Sequence, residues 1–272
     1  MSLRWYARAV GTAATVIGLG GCLVSIDESR IDGRKLDATT GAQDAGDGGP
    51  GVTDGSDAAV SFCPQGAIFC DGFEGKLGDG KWERSGATGF LSYDTAPPGK
   101  SFSGSQSFRV APVSPDGGPE IIDYLTHKVA LRDAADSPNV RITFRALLES
   151  SGENVVGLGV RMEDLQLDVD LRSGQTVERS NSTTRRAISG ATTLPVGSSW
   201  HLVQVDIQRV DAKLTVSVDG TPGVVVDPGT GKGLLSKAQL LGTQLTLCLG
   251  AFYVAAGQSW RMWVDDVVVT AF

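Results

Sequence analysis

Over its second half the chain alternates apolar and polar side chains in short runs. "RITFRALLE" (141–149) sets Ile142, Phe144 and Ala146 against Arg141, Thr143 and Arg145. "LQLDVDLR" (165–172) sets Leu167, Val169 and Leu171 against Gln166, Asp168 and Asp170. "AKLTVSVDG" (212–220) sets Leu214, Val216 and Val218 against Thr215, Ser217 and Asp219. A side-chain period of two is that of a strand with one buried face. "NVVGLGVRM" (154–162), "WHLVQVDIQRV" (200–210), "QLTLCLGAFYV" (244–254) and "MWVDDVVVTAF" (262–272) are β-branched and aromatic runs that extend the series. Glycine, proline and asparagine fall between them, and no long segment carries a helical period. Asp219-Gly220, ahead of Val224-Val225-Val226, predicts a tight hairpin. Many short strands with turn signals between them predict an all-β sandwich or barrel over residues 61–272, a length suited to one such domain.

The pattern is different before residue 61. Residues 1–21 read as a signal peptide: Arg4 and Arg8 open it, an uncharged stretch runs from Ala9 to Gly20, and small residues close it. The apolar stretch is too short and glycine-rich for a membrane-spanning helix, which needs about 20 apolar residues. Its end, "LGGC", resembles the lipobox of bacterial lipoproteins. That resemblance implies lipidation of Cys22, which becomes the mature N-terminus, and attachment to the cell envelope. The residue after the cysteine is Leu23 rather than Asp, which points to the outer membrane or the cell surface. Several acyl chains anchor firmly, at about 0.8 kcal/mol per buried methylene. Residues 22–60 then form a Gly/Asp-rich tether with almost no large apolar side chain, a composition that cannot offset the entropy of ordering.

Composition excludes some functions. The net charge is −7. Residues 23–60 carry eight acids against three bases, so most of that charge lies in the tether. The rest is mildly acidic and offers no basic field for nucleic acid. Gly46 to Gly51 satisfies G-x-G-x-x-G, but no strand and helix flank it and Asp47 would repel a phosphate. "PPGKS" (97–101) lacks the earlier glycine of a phosphate loop, since that position is Asp94.

Five segments together carry a wider resemblance. The domain opens with "FCDGFEG" and Trp82 and continues with "SGSQSFRV" (103–110). It then runs through "WHLVQVDI" and "LTVSVDG" and closes on "MWVDDVVV". In order and spacing this resembles the concanavalin-A-like lectin/glucanase superfamily in its laminin-G-like jelly-roll form, over about residues 66–272. The resemblance implies two face-to-face antiparallel sheets, one concave, with first and last strands paired so that Phe73 meets Val264, Val267 and Val269. It also implies a structural calcium ion beside that seam, held by Asp265 and by carbonyls near Gly104 and the opening strand. Calcium takes six to eight oxygens, and carboxylates and carbonyls suit it.

Cys63 and Cys70 bracket a small loop at the domain entrance, and an exported protein meets an oxidising space, so a disulfide between them is expected. Cys248 reads as a small buried apolar residue, with a Cys70–Cys248 bridge as the alternative. No spacing matches a zinc site or a C-x-x-C redox pair.

Catalytic signals are sparse. A retaining glycosidase needs two carboxyls about 5–5.5 Å apart. Asp168 and Asp170 share a strand face, but the superfamily's E-x-D-x-x-E is absent: "MEDLQLDVD" has Glu163 and Asp164 adjacent and no later Glu in register. The pair reads as a solvated strand face. His127 and His201, the only histidines, have no G-x-S-x-G elbow. The expectation is therefore a module without enzymatic activity, recognising polysaccharide or a cell-surface glycan. Its groove would be lined by Arg145, Arg161, Gln166 and Asp168 and rimmed by Trp82, Tyr93 and Tyr124. An adhesion or structural module with a protein partner is the second reading, and a glycoside hydrolase of the same fold the third.

Overall fold

The computed structural model describes residues 63–272 except 78–79, 87–89, 96–99, 119–120, 151–154, 163–164, 173–174, 181–183, 190–192 and 227–239. Cys22 and the rest of the leader and tether lie outside the described residues, as do Glu163 and Asp164. The described elements are all strands. Sheet A contains β1 (Ala67–Asp71), β3 (Leu91–Thr95), β4 (Gln106–Val110), β6 (Asn139–Ser150), β11 (His201–Gln208), β12 (Lys213–Val218), β13 (Thr221–Val226) and β15 (Arg261–Ala271). Its order is β13-β12-β11-β6-β15-β4-β3, with β1 also on β15. Sheet B contains β2 (Glu83–Gly86), β5 (Ile121–Ala130), β7 (Val156–Met162), β8 (Leu165–Asp170), β9 (Gln175–Ser180), β10 (Thr184–Ser189) and β14 (Gln244–Val254). Its order is β10-β9-β8-β7-β14-β5-β2, and every pairing in both sheets is antiparallel.

The alternation in the sequence sets the core. Val140, Ile142 and Phe144 of β6 stand beside Ile207, Val205 and Val203 of β11, and all six are buried. Leu158 and Val160 of β7 stand beside Val169 and Leu167 of β8 on the inner side of sheet B. The expected hairpin joins β12 to β13, with Asp219 and Gly220 both at positive φ (49° and 76°), the backbone of a two-residue turn.

The first and last strands pair as expected, Phe69 opposite Val269 and Asp71 opposite Val267. Phe73 is fully buried, with ring centroids 5.4 Å from Tyr93 and Phe108 and 5.9 Å from Trp82. Asp71 explains the opening motif: its carboxylate accepts Trp82 Nε1 (2.6 Å), Lys81 Nζ (3.0 Å) and the Phe73 amide (3.2 Å). Cys63 and Cys70 form the disulfide, and Cys248 is a buried free thiol. Trp82 and Tyr93 therefore pack the core and do not rim a groove.

β15 changes partner halfway. Met262 to Val264 pair with β4, and Val267 to Thr270 pair with β1. Between them the register against β6 slips at Asp265–Val268, and Asp266 takes a φ of 48°. A bulge at such a hand-over re-aims side chains. Here it turns Asp265 onto the 101–103 loop, where Oδ2 accepts the amides of Phe102 (2.8 Å) and Ser103 (3.1 Å) and Oδ1 accepts that of Asp266 (2.8 Å).

At the end of β11, Arg209 is fully buried. Its guanidinium donates to five main-chain carbonyls, those of Arg132, Ser137, Leu240, Leu241 and Gly242, at 2.8–3.3 Å. It ties the 131–138 and 240–243 loops to sheet A.

Candidate functional site: the outer face of sheet B

β7 is the middle strand of sheet B, and the face of that sheet turned away from the core can be read in rows across it. One row is Gln166 (β8), Arg161 (β7), Thr246 (β14) and Lys128 (β5). The next is Asp168, Gly159, Cys248, Thr126 and Glu83, the last on edge strand β2. On β7, the central strand, the second row is thus a glycine. A Cβ on Gly159 would sit in ordinary contact with Asp168 Oδ1 (3.5 Å) and Phe252 Cζ (3.6 Å) and slightly tight against Cys248 Cβ (3.3 Å), so the glycine packs closely among its neighbours.

Asp168 is buried, and it accepts Gln166 Nε2 at 2.9 Å and the Tyr253 hydroxyl at 3.4 Å. Phe252 stacks on Tyr124 with centroids 4.9 Å apart. A bulge in β14 produces this arrangement: the register shifts between Ala251 and Val254, and Tyr253 takes a φ of 57°. The extra residue brings the Tyr253 hydroxyl to Asp168 while Ala251 and Val254 keep their places in the core. Close packing supports it, since a Cβ on Gly250 would fall 2.4 Å from the Tyr124 Cα. Arg161, Thr126 and Thr246 are half-buried and Lys128 is exposed, so the face has an accessible polar row beside a buried carboxylate–aromatic cluster.

The four expected groove residues divide between the sheets. Arg161, Gln166 and Asp168 meet on sheet B, with Arg161 directly opposite Gln166. Arg145 lies on β6 in sheet A, opposite Leu202 and Asp265, and cannot join them. β6 and β7 are consecutive in the chain but enter different sheets. Of the expected rim only Tyr124 belongs here. The sequence reading missed Gly159, Phe252 and Tyr253; the signal was the glycine followed closely by two aromatics in "GAFYV". Asp168 and Asp170 do not form a solvated face, because both are buried. Asp170 Oδ1 accepts the amides of Val155 (3.1 Å) and Arg172 (2.9 Å), a structural duty. Glu83 shares the Asp168 row but lies four strands away, about 19 Å at the usual strand spacing.

The seam assigned to calcium by resemblance is filled by hydrogen bonds. The Asp265 oxygens take three backbone amides. Glu74 takes the amides of Ser105 and Gln106, both at 2.9 Å, and the Ser105 hydroxyl. The Gly104 carbonyl accepts the Ser101 hydroxyl. Among the described residues no three His, Cys, Asp or Glu side chains converge as a cation site. Carboxylates aimed at N–H donors do not fit calcium as arranged. The histidines are equally remote from a triad: His127 stacks on Phe69 at 3.9 Å, and His201 Nδ1 lies 2.7 Å from Asp219 Oδ2.

No protein-family model and no curated protein matches the sequence. Solved structures do match its fold. A glycoside hydrolase family 16 enzyme of a mixed-linkage glucan locus in Bacteroides ovatus, solved with its product, has a TM-score of 0.51 and 11% identity over 74% of this chain and 99% of that one. An endo-1,3-β-glucanase catalytic domain from Thermotoga petrophila has 0.47 and 10% over 75% and 96%. A structure of botulinum neurotoxin type C, reported to depend on two ganglioside molecules for cell entry, has 0.42 and 11% over 70% and 42%. The described residues form a jelly-roll β-sandwich. One expectation is corrected here. The missing E-x-D-x-x-E does not mark a protein without enzymatic activity, because the fold is shared with a glycoside hydrolase family 16 enzyme solved with its product.

Proposed function

We propose that the chain is a lipid-anchored envelope protein whose sandwich engages polysaccharide on the outer face of sheet B. The observation that carries the reading is the buried Asp168, held by Gln166 and Tyr253 at the middle of that face beside the side-chain-free Gly159. Asp168 itself is covered, so it fixes Gln166 and Tyr253 in place, and the accessible row of Arg161, Thr246 and Lys128 beside them supplies the groups for sugar hydroxyls. The shared fold with a glucan-acting enzyme supports this class of ligand. Display at the envelope rests on the leader ending in Cys22 and the tether that follows.

Titrating the full-length protein with mixed-linkage glucan oligosaccharides, while following reducing ends, tests the reading. Asp168→Asn is expected to weaken binding at least about tenfold, because it removes the charge-assisted hydrogen bonds that orient Gln166 and Tyr253. Release of reducing ends would show that bond cleavage follows binding. Equal affinity of wild type and Asp168→Asn, or no affinity in either, would remove sheet B from consideration. For the anchor, mass spectrometry of the cell-envelope fraction is expected to find diacylglycerol on Cys22. A Cys22→Ala chain should lack the lipid and partition into the soluble fraction; unlipidated wild-type protein would overturn this part.

A further inference from the structure

The opposite surface, the outer face of sheet A, has a different chemistry. Two depressions of about 390 Å³ and about 290 Å³ adjoin there, and both are lined by Arg141. An exposed phenylalanine stands in each: Phe102, 45% exposed, in the larger and Phe272, 56% exposed, in the smaller. Each ring has a guanidinium over it, Arg145 at 4.3 Å from Phe102 and Arg141 at 5.6 Å from Phe272. Thr143 and Thr270 also line the larger depression.

Charge singles out Arg145. The acids around it are already engaged. Asp206 holds Arg141 at 2.6 Å and accepts Gln204 Nε2 at 2.7 Å. Asp219 takes His201 and the Leu202 amide, and the hydrogen bond from His201, with a smaller contribution from the charge of Arg145, holds its pKa below the ordinary value. Asp266 accepts the Ser103 hydroxyl. Among the described residues no carboxylate lies within ion-pair distance of Arg145, which leaves its planar fork of donors over an exposed ring. A fork of that kind matches a carboxylate in two parallel hydrogen bonds, and a flat ring beside it suits the apolar face of a sugar.

We propose that the outer face of sheet A is a second carbohydrate-binding surface, selective for acidic polysaccharide, in which a uronate carboxylate pairs with Arg145 and an adjoining sugar ring packs on Phe102. The site is independent of the one on sheet B and takes a ligand of different charge.

Calorimetric titration of the full-length protein with a galacturonate oligosaccharide, against the neutral galactose oligosaccharide of equal length, tests it. The acidic ligand is expected to bind and to weaken with added salt. Arg145→Gln should lower that affinity at least about tenfold, and Phe102→Ala should lower it as well. Arg145 points outward, so Arg145→Gln is expected to melt with the wild type, and the melt separates loss of binding from loss of fold. Absence of binding, equal binding of the neutral oligosaccharide, or unchanged affinity in Arg145→Gln would each overturn the proposal. None of these outcomes depends on glucan binding at sheet B.

Discussion

Replacing Arg209 with methionine is expected to lower stability by at least about 5 kcal/mol and the melting temperature by about 15 °C. The methionine chain fills much of the space, so packing is not the main loss. The five carbonyls are. Those of Arg132, Ser137, Leu240, Leu241 and Gly242 all point at one guanidinium, and a buried acceptor left without a donor costs about 1–3 kcal/mol. Burial pulls the arginine's pKa down, with Asp133 partly offsetting it, but a guanidinium stays charged. Lysine has three donors in a different geometry, so Arg209→Lys should recover only part of the loss. Thermal melts by circular dichroism check both variants. A methionine variant melting within about 2 °C of wild type would mean the loops satisfy their carbonyls without Arg209.

The sequence reading reached the sandwich because alternation is a local signal. Phe144 and Arg145 differ in parity, so one is inside and the other outside whatever the topology. Parity cannot say which outside. Arg145 and Arg161 both face outward, but β6 pairs with β11 and β15 while β7 pairs with β8 and β14. Pairings at long sequence separation decide the face, and no short window holds them. The closing strand was the exception, because the motif resemblance joined "FCDGF" to "MWVDDVVV" and the β1–β15 ladder follows from it.

Bulges hid the rest. Tyr253 reaches Asp168 only because an extra residue interrupts β14, and the aromatic run around it reads equally well as an unbroken strand. Asp265 is the acid that the resemblance assigns to calcium, with carbonyls near Gly104. The bulge turns its carboxylate onto the amides of Phe102, Ser103 and Asp266. Arg209 carried no periodic signal at all. It sits just past a strand in "IQRV", and its burial comes from loops that close over it from residues 131–138 and 240–243.

Asp265 should make the protein more stable in mild acid than at neutrality. Its carboxyl is fully buried, and removal from water, with the charge of Asp266 adding to it, pushes its pKa up to about 7 against the three amides that favour the anion. In the unfolded chain the group titrates near 3.9. Between those values the native state holds a proton that the unfolded state has lost, so stability falls as pH rises from about 4 to about 7 and is flat above. A shift of about 3 units corresponds to about 4 kcal/mol across that window. Oδ2 can keep the Phe102 and Ser103 amides when Oδ1 carries the proton, so protonation costs only the Asp266 bond. Urea unfolding at a series of pH values, for wild type and Asp265→Asn, isolates the effect from the other carboxylates. The asparagine variant is expected to lose this slope and to exceed the wild type most at pH 8. The same experiment decides the calcium question, because a bound cation would hold Asp265 ionised and abolish the slope. With the amides in place, adding calcium or a chelator is expected to leave both curves unmoved. A wild-type curve that flattens and rises with calcium would show that the loop amides give way to the ion.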